Sequence, residues 1–180
     1  MFRKWLLIFL TTFAIGLNIS YACVGKTIYI GHISSLENEI IGNILSRLIT
    51  ERTGTSVKLK KFSNTNALFQ AAVNGEIDLF MFDSNEIKTI VQTTDFEKAK
   101  TDINTKFNLV LLKPVYETKA GYNVPIIRKD TLKKFPALPR LIEKLNGNLA
   151  PQIISELTKE VDRRGIKDIV REFLKSKNLI

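Results

Sequence analysis

One stretch, NALFQAAVNGEIDLFMFDS from Asn66 to Ser84, constrains the fold of this chain more than any other. Ala67, Leu68, Ala71 and Ala72 fall on one face of a short amphipathic helix. Asn74-Gly75 ends that helix, with the glycine taking φ > 0 as it commonly does past a last turn. The run Ile77 to Phe82 is too short for a helix and is bounded by turn formers. It reads as a buried strand that delivers Asp83, Ser84 and Asn85 to a sheet edge. Ligands sit at that edge in open α/β sheets, so helix, Gly-Glu-Ile-Asp junction and strand together form a site-bearing unit. Asp78 is expected to serve the junction by bonding backbone N–H groups.

The flanking segments extend the same pattern. Thr27 to Ile33 reads as a strand with Gly31 allowing close approach, and Val57 to Phe62 as another. Between them Ile40, Ile41, Ile44, Leu45, Leu48 and Ile49 recur at helical spacing, with Ser34 and Glu37 expected as a capping box and Gly54 as the stop. Strand–helix–strand–helix–strand with short loops predicts an α/β fold, a mostly parallel sheet flanked by helices. Glu86 to Thr93 adds a helical turn or two, and Thr94 to Lys106, polar and without clear period, reads as a connection. Phe107 to Leu112 and Val124 to Ile127 are two more strand candidates. The tail is helical over Thr131 to Leu145, Pro151 to Arg164 and Lys167 to Lys175. Residues 23–180 are expected to form one domain, since a chain of that length is ample for one core.

Residues 1–22 read as a signal peptide: Arg3 and Lys4, an apolar run from Trp5 to about Leu17, then Ser20-Tyr21-Ala22. The expectation is an exported protein, periplasmic or otherwise extracytoplasmic. Cys23, the only cysteine, follows the expected cut and cannot form an internal disulfide. Two readings stand for it, lipid attachment as a membrane anchor or an incidental residue. The chain carries a formal charge of +9, but its lysines are scattered and no nucleic-acid motif accompanies them. An export signal further disfavours nucleic acid as a partner.

No catalytic constellation is present, and the chain is not expected to be an enzyme. His32 is the only histidine, which removes His-based triads and multi-His metal sites. There is no phosphate loop, so neither cofactor nor metal is expected. What converges is a set of polar strand ends on one side of the sheet: Ser34-Ser35, Ser63 to Asn66, and Asp83 to Asn85. These residues serve as helix caps, as ligand contacts, or as both.

The block IYIGHISSLENEIIGNILSRLITERTG with the NGEIDLF junction resembles the opening lobe of bacterial ABC-transporter substrate-binding proteins for glycine betaine, choline and related osmoprotectants. GYNVPIIRKDTLKKFPAL and the closing segment, with VDRRG and EFLKSKNLI, resemble that family's return segment and final helices. The family has two lobes, whereas only Glu86 to Asn108 lies where the second would be inserted, so a shortened single-lobe form is implied. The resemblance implies ligand contacts from Ser34, Ser35, Asn64, Thr65, Phe82, Asp83, Tyr122 and Asn123. Of these, Tyr122 and Asn123 match the return motif, while Phe82 and Asp83 depart from the family's Glu and Tyr. It further implies an ABC permease as partner and a small quaternary-ammonium ligand, with self-association as a way to supply a missing wall. The family's aromatic cage lacks obvious counterparts, because the chain after residue 22 has no Trp and only Tyr29, Tyr116 and Tyr122. Two functions stay open: a transport component with weakened or altered ligand binding, and an exported interaction module that has lost its ligand.

Overall fold

Alternation along one strand explains most of the architecture. In β3 (Leu79–Asp83), Leu79 and Met81 point to one face of the sheet and Phe80 and Phe82 to the other. All four are buried, as expected of a central strand covered on both faces. The computed structural model describes residues 26–180, so the expected signal peptide and Cys23 lie outside the described residues.

The other strands are β1 (Ile28–Ile33), β2 (Val57–Phe62), β4 (Leu109–Leu111), β5 (Tyr116–Glu117) and β6 (Tyr122–Arg128). The sheet order is β2-β1-β3-β6-β4, with β5 also pairing β6. β2, β1 and β3 are parallel, and β6 returns antiparallel beside β3. The result is a mixed α/β lobe with helices on both faces. β4 and β5 run along the same side of β6 and are interrupted opposite Pro125. The Pro125 carbonyl accepts from the Leu112 N–H on that side, where its own ring nitrogen has no proton to offer. The broken edge strand, with Lys113 and Pro114 at the gap, accommodates that missing donor.

Helix α1 (Leu36–Thr53) covers one face together with α6 (Leu138–Glu143), α7 (Pro151–Arg164) and α8 (Ile166–Ser176). The opposite face is covered by α2 (Thr65–Val73), α3 (Ser84–Ile90) and α4 (Phe96–Phe107). The remaining helix, α5 (Lys129–Lys134), follows β6 directly. Among the described residues no helix is long and apolar enough to cross a membrane.

Several local expectations are corrected. The cap of α1 is Ser35, whose Oγ accepts from the Asn38 backbone N–H at 3.2 Å, because Ser34 is still held in the ladder by its N–H bond to the Phe62 carbonyl. Thr94 to Lys106 is no loose connection but most of α4, capped by Asp95 and closed by Asn108 in the left-handed region. Phe107 belongs to that helix, which leaves only Leu109–Leu111 as strand. The expected helix Thr131 to Leu145 is two, α5 and α6, since Pro136 disfavours helical geometry at Phe135, found at φ −132° and ψ 68°.

The junction behaves as expected. Gly75 has φ 83°. Asp78 accepts from the Tyr29 N–H at 2.9 Å through one carboxylate oxygen and from the Thr131 hydroxyl at 2.6 Å through the other. A single side chain thus ties β1, the entry to β3 and α5 together.

Candidate functional site

The parallel strands all end on one side of the sheet, and so do the N-termini of α1, α2 and α3. Ser35 and Asn64 cap the first two; Asn64 Oδ1 accepts from the Ala67 N–H at 2.9 Å. Both caps are exposed, and Ser34 beside them is exposed as well. Thr65 turns its hydroxyl to Glu86 at 3.2 Å.

Asp83 is the hub of this edge. Its N–H donates to Glu86 at 2.9 Å and its carboxylate accepts from the Asn85 N–H at 2.8 Å, a reciprocal capping box for α3. The second carboxylate oxygen accepts from the Thr118 hydroxyl. Ser84 accepts the Tyr122 N–H at 3.1 Å, and Asn85 donates to the Ala120 carbonyl. The β5–β6 hairpin is thereby fastened to the start of α3.

Register places three side chains in a row. Asp83 pairs with Asn123 across β3–β6, and Asn123 pairs with Tyr116 across β6–β5. Directly opposed residues project from the same face, here the one covered by α1. Glu37, exposed in the first turn of α1, is near enough for its charge to act on Tyr116. Burial pushes the Tyr116 phenol well above its ordinary range, and the negative charges of Glu37 and Asp83 add to the shift. The neighbouring Asn123 side chain works against it. The arrangement is a row of polar groups, a carboxylate, an amide and a protonated phenol, with the Asn123 and Tyr116 side chains largely withdrawn from solvent.

Of the expected contacts, Asp83 and Asn123 are brought together across β3–β6, Thr65 is linked to this edge only through Glu86, and Ser34, Ser35 and Asn64 line the rims of neighbouring loops. Tyr122 is 45% exposed beside them. Phe82 is corrected: it is 1% exposed, points to the opposite face from the row, and packs its ring edge-on against Phe80 at 4.7 Å. It offers no ring face to a ligand. Tyr116 and Glu37 are the residues near this row that reading the sequence did not place there. β5 is two residues long and carries no local signal, and the Glu37 role depends on the cap falling at Ser35.

Among the described residues no group of three His, Cys, Asp or Glu side chains could hold a metal ion. His32 is 8% exposed and hydrogen-bonds the adjacent Ile33 carbonyl, a packed residue against α1.

Residues 26–122 match a family described as the substrate binding domain of the ABC-type glycine betaine transport system. No curated protein sequence is significantly similar. Among solved structures, a glycine betaine/carnitine/choline ABC transporter protein superposes with a TM-score of 0.71 at 13% identity, over 86% of this chain and 98% of that one. Apo YehZ from Escherichia coli gives a TM-score of 0.75 at 11% identity, over 87% and 100%. Lactococcal OpuAC in its closed form with glycine betaine gives 0.62 at 9% identity, over 85% and 96%. At these identities the likeness is one of fold.

Proposed function

This chain belongs to the family of substrate-binding domains of ABC-type glycine betaine transport systems, and from that premise we propose that it is an exported, extracytoplasmic transport component whose ligand binding is altered and weakened. Its partner is an ABC permease, and its ligand a small organic cation taken at the ends of the parallel strands. Cys23 provides lipid anchorage in the membrane if it is acylated after cleavage. The observation that carries this reading is the row Asp83, Asn123 and Tyr116 at the ends of the parallel strands, with the charge of Glu37 felt there, a polar edge with negative charge on a chain of net charge +9.

Weak binding follows from geometry. Pockets that work bury some 70–90% of a ligand. A single sheet edge leaves about half of it in water, and a cation–π contact at an exposed site contributes only about 0.5–1 kcal/mol. Phe80 and Phe82 are committed to the core, and Tyr122 is the one large aromatic side chain exposed at this edge. Losing two or three desolvated contacts of about 2 kcal/mol each turns micromolar affinity into millimolar. Titration calorimetry with glycine betaine, choline and carnitine tests the proposal; dissociation constants of about millimolar or weaker are expected. Micromolar heats from the isolated chain would show that one lobe suffices.

One observation favours the second reading, a surface for a macromolecular partner. Leu36 and Tyr122, 38% and 45% exposed, both lie at this same edge. A permease surface or a second copy of the chain seated there would cover them and supply the missing wall.

A further inference from the structure

Lysines that look scattered along the sequence are gathered by the fold. On the side where the parallel strands begin, opposite the ligand edge, lie Lys26 just before β1, Lys133 and Lys134 on α5, and Lys177 at the end of α8. Backbone contacts place these segments together. The Ile28 N–H donates to the Ser56 carbonyl ahead of β2, and the Arg128 and Lys129 N–H groups donate to the Asp78 and Asn108 carbonyls ahead of β3 and β4. Arg52, in the last turn of α1, donates to the Leu179 carbonyl at 2.6 Å and so holds the end of the chain on the same side. Because β1 and β6 flank β3, about 10 Å, two strand spacings, separates the start of β1 from the entry to α5. All four lysines are exposed, and none is in an ion pair among the described residues. Other cations here are already engaged, Arg52 by that carbonyl, Lys106 with Asp102 and Arg128 with Asp130. Among the described residues Glu76 is the acid left exposed and unpaired on this side.

We propose that this basic side rests on an anionic phospholipid surface. Headgroup phosphates form a plane of negative charge, and lysines gathered at one end of a lobe reach that plane together, as lysines spread over every face cannot. The place where the chain enters the fold points to the same occupant. Only Val24 and Gly25 separate Cys23 from Lys26, a reach of about 10 Å even when fully extended. An acyl chain on Cys23 would therefore hold this side against the headgroups, within the Debye length over which the lysines are attracted. The opposite side carries acids, with Glu37, Asp83, Glu86 and Glu117 at or beside the strand ends. The lobe is thus polar along its strand direction, and resting on lipid leaves the strand-end edge facing the solution. This surface is separate from the ligand edge, and its test does not depend on what binds there.

The test is cosedimentation of the purified protein, carrying no acyl group, with vesicles of phosphatidylcholine alone or mixed with phosphatidylglycerol. At about 50 mM salt the protein should partition onto the mixed vesicles about tenfold or more strongly than onto phosphatidylcholine, and about 500 mM salt should remove the difference. Lys133→Gln combined with Lys134→Gln should lower that partitioning about tenfold or more, at about fivefold for each lysine. Lys61→Gln combined with Lys119→Gln removes the same charge from exposed positions on the opposite side and should leave it within about twofold. Nitroxide-labelled headgroups should broaden amide resonances of residues 26–28, 129–135 and 177–180 and spare those of 34–36 and 119–122. Equal partitioning onto the two vesicle types, equal losses in the two double variants, or broadening centred on the strand ends overturns the inference. Retention on immobilised heparin with no vesicle binding would assign the lysines to a soluble polyanion and overturn it as well.

Discussion

Gly121 approaches Ser84 so closely that a β-carbon built on it would lie 2.1 Å from the Ser84 hydroxyl oxygen. That oxygen accepts the Tyr122 N–H, so the contact and the bond together fasten the hairpin carrying Tyr116 and Asn123 to the start of α3. Gly121→Ala must displace Ser84 and break the bond. The expected loss is about 1–3 kcal/mol by denaturant unfolding, with the larger chemical-shift changes at residues 116–123 and 83–86. An unchanged unfolding midpoint would mean the hairpin is not held this way.

Gly75 tests the junction independently. Its φ of 83° is one that β-branched residues avoid, and a β-carbon there would lie 2.1 Å from a guanidinium nitrogen of Arg128. Arg128 could move, but only by leaving Asp130, to which its Nε donates at 2.9 Å. Gly75→Val should therefore cost about 1–3 kcal/mol, most of it backbone strain. Gly75→Ala, free of β-branching, should cost less. Equal stability of the valine variant and the parent would show that the turn has been misread.

Much of this was legible from residue order, and the exceptions have physical causes. The helix ended by Asn74-Gly75, the strand Leu79–Asp83 and a role for Asp78 as an acceptor of backbone N–H follow from local chemistry, although the N–H it takes is that of Tyr29, 49 residues away. Helix α4 was not legible, because only Ala99 and Ile103 are buried, with Phe96 and Phe107 half-buried at its ends. So narrow a stripe in a charged segment hides its period; the Asp95 cap was the better signal. Asp83 could be placed at the edge from its strand, and Asn123 only through the family resemblance. Tyr116 could not, since its position depends on a two-residue strand pairing across the gap that Pro125 creates. Phe82 failed as a contact for the simplest reason, that alternation turns it away from its neighbour Asp83.

Alkaline titration reads the environment of Tyr116. Its phenol is held protonated well above the usual value of 10.0, chiefly by burial and then by Glu37 and Asp83. With the folded value raised, the folded state binds more protons than the unfolded one once pH passes about 10, so stability present below that pH declines as pH rises. Tyr116→Phe should remove part of that decline and leave stability near pH 7 little changed. Urea midpoints measured between pH 8 and pH 11 decide it; parallel curves for the two proteins would contradict the burial of the phenol.

The central claim is that the ligand edge lies along Asp83, Asn123 and Tyr116, and amide-shift mapping with a small organic cation tests it most directly. Addition of millimolar choline or ethanolamine should move resonances of residues 35–38, 83–86 and 116–123 in a saturable way, leaving α7 and α8 still. Shifts confined to the Arg163, Arg164 and Arg171 groove between α7 and α8, or scattered over the surface without saturation, would contradict it.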